Sequence, residues 1–254
     1  MKFRHRYYKQ NGIMLHYVDI GRGRPLIFLH GVLADALTYR KWLLLLAKKY
    51  RVIAPDLPCF GTSGAPNKPW DFNDYADLFN ALAASLALKD IIVIGHSFGG
   101  GIALCMAAKN KKISRLILLG SAGAPADYSK LKFAFRLCIE QNMRALIASG
   151  RIDVLAKAGL RIAKSTILHL PKLGVVLKTI RKSLKKDYSK ELEKVRAKTL
   201  IIRGRTDKVF PKASAQFLKK RIRKSKLMLV EGGHSWLLFQ PEKFEGIVSK
   251  WIGS

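Results

Sequence analysis

The sequence predicts an α/β protein with a largely parallel sheet. Short runs rich in Ile, Leu and Val recur without polar alternation, which is typical of strands buried on both faces. Helical segments separate most of these runs, and such alternation favours parallel pairing. At 254 residues, the chain is long enough to bury about 70–75% of its unfolded surface without disulfide or metal support.

The predicted elements follow one another in a regular order. The chain opens with a hairpin, because an Asn11-Gly12 turn joins two strand-like runs. Six buried strands come next, and helical segments lie between them. We predict strands at residues 4–9, 13–19, 26–29, 52–55, 91–95, 116–119, 200–202 and 227–230, and helices near residues 37–48, 71–86, 99–109, 212–222 and 241–251.

One long stretch carries no strand signal. Within it Phe135, Ile139 and Met143 recur every fourth residue beside a polar stripe, which indicates an amphipathic helix. Glycines and a proline divide the remainder, so we predict three or four short helices inserted between two strands as a cap. The alternative is that these helices extend the packing of the main domain. The domain prediction is a core of residues 1–123 and 195–254 and a cap of residues 124–194.

The composition is unusual in its large excess of basic residues. Lys and Arg total 47 against 17 Asp and Glu, a net charge of +30, and such an excess favours nucleic acid or anionic membranes as partners. The distribution weakens that interpretation. Residues 125–195 carry 16 basic and 6 acidic side chains, a net charge of +10, where uniform spreading gives roughly +8. The densest cluster, residues 219–226, has no interleaved aromatic residue. We therefore expect a solvated basic surface and no nucleic-acid partner, with association with an anionic membrane surface as the less favoured alternative.

Cysteine usage and hydropathy bound the class of protein further. Three widely spaced cysteines form no disulfide framework and no CxxC pair, which fits a reducing compartment. Residues 1–12 have no apolar run after their basic residues, so no signal peptide is expected. No apolar run approaches the roughly 18–20 residues of a membrane helix. We expect a cytoplasmic protein without a membrane span.

The most specific motif is Gly95-His96-Ser97-Phe98-Gly99, which matches G-x-S-x-G. It follows a predicted buried strand and precedes a helical run, the strand–turn–helix context in which a serine nucleophile is exposed. Glycine on both sides of Ser97 lets the backbone approach closely in a tight, strained turn. The motif therefore predicts a nucleophilic serine.

Five features in a fixed order resemble the α/β-hydrolase fold family, especially its serine esterase and lipase-like members with a helical cap. The resemblance covers almost the whole chain and implies a central, mostly parallel sheet flanked by helices. The features are the turn His30-Gly31-Val32, the loop from Asp56 to Gly64, the Ser97 motif, Asp207 after a strand, and His234 after the last strand.

A catalytic triad follows from these residues. A serine hydroxyl requires an adjacent base, and the base requires a carboxylate that fixes its tautomer. Of six histidines, only His234 lies in a glycine-rich turn beyond a buried strand, where sites form in parallel sheets. Asp207 follows the preceding strand, and the order Ser97, Asp207, His234 is the one associated with the family. His30 and His96 are expected to have structural roles.

The resemblance also implies an oxyanion hole. Its donors would be the backbone N–H groups of Val32 and Phe98, with Leu33 as the alternative to Val32. Ordinary core packing is an equal alternative for the side chains of Phe98, Phe210 and Trp236. The side chains expected to line a substrate pocket are Leu33, Phe135, Ile139, Met143, Phe210 and Trp236.

The serine narrows the reaction. Family members that open epoxides or displace halide use Asp at the position of Ser97, so acyl transfer to water is favoured. No HExxH, GxGxxG or P-loop is present, and no metal or cofactor is expected. With an apolar cap, we expect a carboxylesterase that forms an acyl-enzyme from small-to-medium hydrophobic esters. Monomer and homodimer both remain open.

Three alternatives stay open. A lactonase or a meta-cleavage-type carbon–carbon bond hydrolase would share the triad. A ligand-binding protein with slow turnover would keep the fold and the serine. A polyanion or membrane-surface binder built on this fold would use the charge rather than the triad.

Overall fold

The computed structural model describes residues 1–125 and 152–253. Within them, eight strands form one sheet in the order β1-β2-β4-β3-β5-β6-β7-β8. The first two strands pair antiparallel, β2 runs antiparallel to β4, and the remaining pairs are parallel. This arrangement confirms the predicted α/β class. The strands are β1 (Arg4–Gln10), β2 (Ile13–Ile20), β3 (Pro25–Leu29), β4 (Arg51–Pro55), β5 (Ile91–His96), β6 (Ile113–Leu119), β7 (Lys198–Gly204) and β8 (Ser225–Val230).

Helices cover both faces of the sheet. Alternate residues of a strand point to opposite faces, so Ile91 and Val93 join one hydrophobic cluster while Ile92 and Ile94 join the other. The helices are α1 (Arg40–Leu46), α2 (Phe72–Ser85), α3 (Phe98–Lys109), α4 (Ile152–His169), α5 (Leu173–Lys185), α6 (Ser189–Lys194), α7 (Lys212–Arg221), α8 (Trp236–Phe239) and α9 (Pro241–Gly253).

Two helix starts show how local sequence sets these bounds. Asp71 caps α2 by accepting the backbone N–H of Asn73, and the side chain of Asp74 accepts the N–H of Asp71 in return. Asp35 likewise caps a short 3₁₀ turn. That turn precedes α1, so the α-helical part is shorter than the predicted segment.

Parallel pairing gives the sheet two functionally distinct edges. The carboxyl ends of the parallel strands meet at one edge, which we call the carboxyl edge; these ends are Leu29, Pro55, His96, Leu119, Gly204 and Val230. Their amino ends meet at the opposite edge, the amino edge. Loops that leave the carboxyl edge are the ones that converge on a site in parallel sheets.

Helices α4, α5 and α6 connect β6 to β7, and we call residues 152–194 the connecting helices. Helices α4 and α5 pack on the loop that follows β4. His169 Nε2 lies 2.8 Å from the carbonyl oxygen of Ser63, and Thr179 Oγ1 accepts the backbone N–H of Trp70 at 3.1 Å. Phe135, Ile139 and Met143 lie outside the described residues. In the described part of the chain, no helix combines the length and apolar character needed to cross a bilayer.

Candidate active site

Ser97 occupies a strained turn between β5 and α3. Its backbone has φ 56° and ψ −118°, a positive φ that costs a non-glycine residue energy and that the surroundings must impose. The N–H of Ser97 donates to the Leu119 carbonyl at 2.9 Å, and the Ser97 carbonyl accepts the N–H groups of Gly100 and Ala122 at 3.0 Å. The side chain is buried, and Oγ has no hydrogen-bond partner among the described residues.

Close backbone packing explains the glycines beside Ser97. A β-carbon on Gly95 would lie 2.4 Å from the Gly99 carbonyl oxygen, and one on Gly99 would lie 2.3 Å from the Leu29 carbonyl oxygen. Neither position has room for a side chain. The turn therefore brings α3 against the ends of β3 and β5, which holds Ser97 at the carboxyl edge.

Asp207 is a buried carboxylate in the loop after β7. Its Oδ1 accepts the backbone N–H groups of Val209 and Phe210 at 2.8 and 3.1 Å, and its Oδ2 lies 3.0 Å from His234 Nδ1. Burial alone would raise the pKa of Asp207. The hydrogen bond from His234 and the two backbone donors outweigh burial and hold that pKa below its ordinary value. The carboxyl group is therefore ionised at neutral pH.

Arg203 stabilises this loop through hydrogen bonds, a role that the sequence analysis did not predict. The buried guanidinium donates to the carbonyl oxygens of Asp207 at 2.7 Å, Phe210 at 3.0 Å and Gly204 at 2.8 Å. The available signal was an arginine directly after the buried apolar run of residues 200–202. Its fork of donors satisfies carbonyl groups that would otherwise be buried without partners.

His234 lies between β8 and α8 and faces Asp207. Because the carboxylate can only accept, Nδ1 donates the proton of this bond, and Nε2 is left as the basic nitrogen. Gly120 lies against the pair, since a β-carbon there would be 3.0 Å from both Asp207 Oδ2 and His234 Nδ1. Gly120 also follows Leu119, the residue that accepts the Ser97 N–H. The predicted serine, acid and base thus flank one glycine turn.

His96 is engaged through both ring nitrogens. Tyr39 Oη lies 2.8 Å from Nδ1 of His96, and Nε2 lies 3.2 Å from the His234 carbonyl oxygen. Burial, and then the neighbouring His234 ring, lower the pKa of His96 to about 3. His96 is therefore neutral at working pH and supports the loop that carries His234.

His30 supports the turn that follows β3. Its Nδ1 donates to the Gly31 carbonyl at 2.7 Å, and its Nε2 accepts the Leu57 N–H at 2.9 Å. Burial lowers the pKa of His30. The turn continues through Val32 to Leu33, which has φ 58°. Within the described residues, no hydrogen bond uses the N–H of Val32.

A cavity of about 120 Å³ lies between this turn and the connecting helices. Leu33 and Phe60 line it from the core, and the connecting helices supply mostly apolar side chains, among them Leu173, Val176, Leu177 and Ile180. Two of the predicted pocket residues lie elsewhere. The Phe210 ring centroid is 5.7 Å from that of His234, while Trp236 is buried and packs against Phe244 in the second hydrophobic cluster. Neither lines this cavity.

Comparisons with known proteins agree with this architecture. A family profile described as "Alpha/beta hydrolase family" matches residues 26–247. The chain is 30% identical over 259 residues to "AB hydrolase superfamily protein YisY" of Bacillus subtilis, covering 95% of this chain and 96% of that protein. A solved meta-cleavage product hydrolase from Pseudomonas fluorescens has a TM-score of 0.80 at 27% identity, with 95% of each chain covered. An esterase from Exiguobacterium antarcticum has a TM-score of 0.75 at 26% identity, covering 96% of this chain and 97% of that one.

Proposed function

The chain belongs to the alpha/beta hydrolase family, and from this premise we propose that it is a serine hydrolase of carboxylic esters with small-to-medium hydrophobic acyl groups. One observation carries the proposal. The buried Asp207–His234 pair, joined at 3.0 Å, flanks the same glycine turn as Ser97. A serine, an imidazole and a carboxylate in this order suit nucleophilic acyl transfer.

In the first half-reaction, Ser97 Oγ attacks the ester carbonyl carbon while His234 Nε2 takes the hydroxyl proton. The bond to the leaving alcohol breaks, and His234 returns the proton to that alcohol. In the second half-reaction, His234 takes a proton from water, and the resulting hydroxide attacks the acyl-enzyme. The acid leaves and Ser97 recovers its proton.

Two charges develop during the reaction, a positive one on His234 and a negative one on the oxyanion, and different groups stabilise them. Ionised Asp207 stabilises the imidazolium that forms at His234 in each half-reaction. The oxyanion is bound by the backbone N–H groups of Phe98 and Val32, with Leu33 as the alternative to Val32. Phe98 is the first residue of α3, so its N–H belongs to the helix end whose partial positive charge favours an anion.

The cavity supports a hydrophobic acyl group. Its lining from the connecting helices is mostly aliphatic, and Leu33 joins it to the turn after β3. Apolar lining with few polar groups is typical of pockets that hold alkyl or aryl groups.

A carbon–carbon bond hydrolase is the second candidate. It is favoured by the likeness to the meta-cleavage product hydrolase from Pseudomonas fluorescens, which extends over 95% of the chain. The likeness to the Exiguobacterium antarcticum esterase is of similar extent. Both reactions use a serine, a histidine and an acid, so substrate profiling has to separate them. Lactonase activity and slow-turnover ligand binding remain further alternatives for the same site.

The test is hydrolysis of p-nitrophenyl acetate, butyrate and octanoate beside a meta-cleavage substrate and a lactone. The variant Ser97→Ala should lower kcat by roughly 10⁴-fold or more and abolish labelling by a fluorophosphonate. Ser214→Ala, which removes another buried serine from α7, should leave both unchanged. Ester turnover that persists in Ser97→Ala contradicts the proposal. Turnover of the meta-cleavage substrate alone would favour the second candidate.

A further inference from the structure

A basic groove lies at the amino edge, on the opposite side of the sheet from Ser97. It has a volume of about 620 Å³ and is lined by Lys111, by residues 113–115, 196–198 and 223–226, and by Trp251. Seven of its twelve lining residues are Lys or Arg, and none is Asp or Glu. We call it the amino-edge groove.

The overall excess of basic residues does not by itself account for this groove. A second groove, of about 570 Å³, lies beside the loop that follows β4. Its lining contains Lys68 and Lys172 but also Asp74 and Asp77, so its formal charges balance. Two grooves of similar size on one chain thus differ by seven charges. The cations of the amino-edge groove are concentrated there by the fold.

The sheet register places some of these cations side by side. Arg115 on β6 is paired with Lys198 on β7, and the neighbouring Thr199 donates its N–H to the Lys224 carbonyl at 2.8 Å. Strands lie about 4.8 Å apart, so three cationic residues occupy one level across neighbouring segments. Like charges directly opposite each other destabilise a sheet.

Arg115 has a second unfavourable feature. Its Nε atom is buried and has no hydrogen-bond partner among the described residues. A buried donor without an acceptor carries a desolvation penalty. A multiply charged anion in the groove would offset the repulsion between the neighbouring cations Arg115 and Lys198.

The neighbouring carboxylates already have partners within the chain. Asp90 contacts Arg24 Nε at 2.9 Å and accepts the Ser114 hydroxyl, and Glu193 contacts Arg221 at 2.7 Å. None of these four charged residues lines the groove, although Ser114, which donates to Asp90, does. The positive charge of the groove is therefore not cancelled by these acids.

We propose that the amino-edge groove binds a small anion that carries several phosphate groups. Lys and Arg side chains from separate segments suit phosphate oxygens, and arginine can bind them with two parallel hydrogen bonds. The only aromatic residue of the lining, Trp251, is 9% exposed, with Lys198 and Lys226 over its ring at 5.2 and 5.9 Å. It offers no open face on which a base could stack, which disfavours single-stranded nucleic acid. The concave shape disfavours a flat membrane.

Inorganic tripolyphosphate is the probe, titrated calorimetrically into the full chain at about 0.1 M salt, where longer-range electrostatics are partly screened. The test variant is Arg196→Glu with Arg223→Glu, two exposed residues of the groove. The control is Lys219→Glu with Lys220→Glu, an equal change of net charge on the exposed face of α7. Turnover of p-nitrophenyl acetate or, failing that, the circular dichroism spectrum shows that each protein is folded.

We expect saturable binding to the wild-type chain, weakened about tenfold or more in the groove variant and within about twofold in the control. Equal weakening in both variants would show a response to net charge and would overturn the proposal. Absence of saturable binding to the wild-type chain would overturn it as well. Tighter binding of a single-stranded oligonucleotide with the same number of phosphates would overturn the assigned ligand class. None of these outcomes depends on the reaction at Ser97.

Discussion

Charged groups have different surroundings at the two edges of the sheet. At the carboxyl edge, the Asp207 carboxylate is buried and held by two backbone N–H groups and His234. At the amino edge, Arg115 and Lys198 are neighbours of the same sign, and the Arg115 Nε has no partner among the described residues. The acid–base pair at the carboxyl edge is therefore held by partners within the chain, whereas the amino edge brings like charges together.

This difference sets what each edge can do. A preorganised site loses activity when a single internal partner is removed, because the remaining groups are already fixed around it. A surface of clustered cations should lose affinity for an anion gradually, charge by charge, and should respond to salt. Substitutions at the two edges should therefore differ in size and even in sign.

After Ser97→Ala, the largest effect should come from Asp207→Asn. The amide keeps the shape but cannot stabilise the His234 imidazolium, and it can hold the imidazole in the wrong tautomer, so kcat should fall roughly 10²–10⁴-fold. Asp187→Asn is the control, since Asp187 is an exposed aspartate that accepts from Ser189. Steady-state hydrolysis of a p-nitrophenyl ester measures both. A loss of less than about threefold in Asp207→Asn would remove the carboxylate from the mechanism.

The next effect is on stability and comes from Gly99→Ala. The new β-carbon would lie 2.3 Å from the Leu29 carbonyl oxygen, and such overpacking costs about 1–3 kcal/mol. The control is Gly246→Ala in α9, where nothing lies within 4 Å of the β-carbon. There the better helix former should stabilise by up to about 1 kcal/mol. Urea unfolding measures both, and equal midpoints would contradict the close packing of the Ser97 turn.

Much of the carboxyl edge could be predicted because short sequence patterns specify its strands and its serine turn. Buried strands show as apolar runs, and the Ser97 turn shows as glycines at fixed offsets. Strand ends were less predictable. β6 begins at Ile113, three residues before the predicted start, because Ser114 and Arg115 interrupt the apolar run at the amino edge.

Contacts between residues that are far apart in the sequence could not be predicted. The contact between His169 and the Ser63 carbonyl spans 106 residues, and no local pattern encodes it. The cation cluster at residues 219–226 carries no aromatic residue in sequence, yet folding brings Trp251 to Lys226. Trp236 was a candidate pocket residue, but it packs against Phe244 because α8 and α9 share the second hydrophobic cluster.

Per pH unit, a smaller effect on stability comes from His96. The pKa of His96 is lowered from 6.5 to about 3, so between these values the unfolded chain binds a proton that the native chain does not. Native stability must then fall as pH falls through this window, by up to about 1.4 kcal/mol per pH unit for one group. His96→Asn should unfold in urea with a shallower dependence between pH 6.5 and about 4. The amino-edge control Arg223→Gln should keep the wild-type slope, and a wild-type slope in His96→Asn would contradict the neutral, buried His96.

The smallest effect should have the opposite sign and belongs to the amino edge. Lys224 is exposed and lies beside Lys198, so Lys224→Gln removes one like-charge neighbour and should stabilise the fold by about 0.2–0.5 kcal/mol at low salt. About 1 M salt shortens the screening distance to roughly 3 Å and should erase the gain. Lys219→Gln on the exposed face of α7 separates this local repulsion from a general benefit of lowering the net charge of +30. If both variants gain the same free energy of unfolding in urea at low salt, charge repulsion at the amino edge is no stronger than on the rest of the basic surface. The amino edge would then have no special property to set against the carboxyl edge.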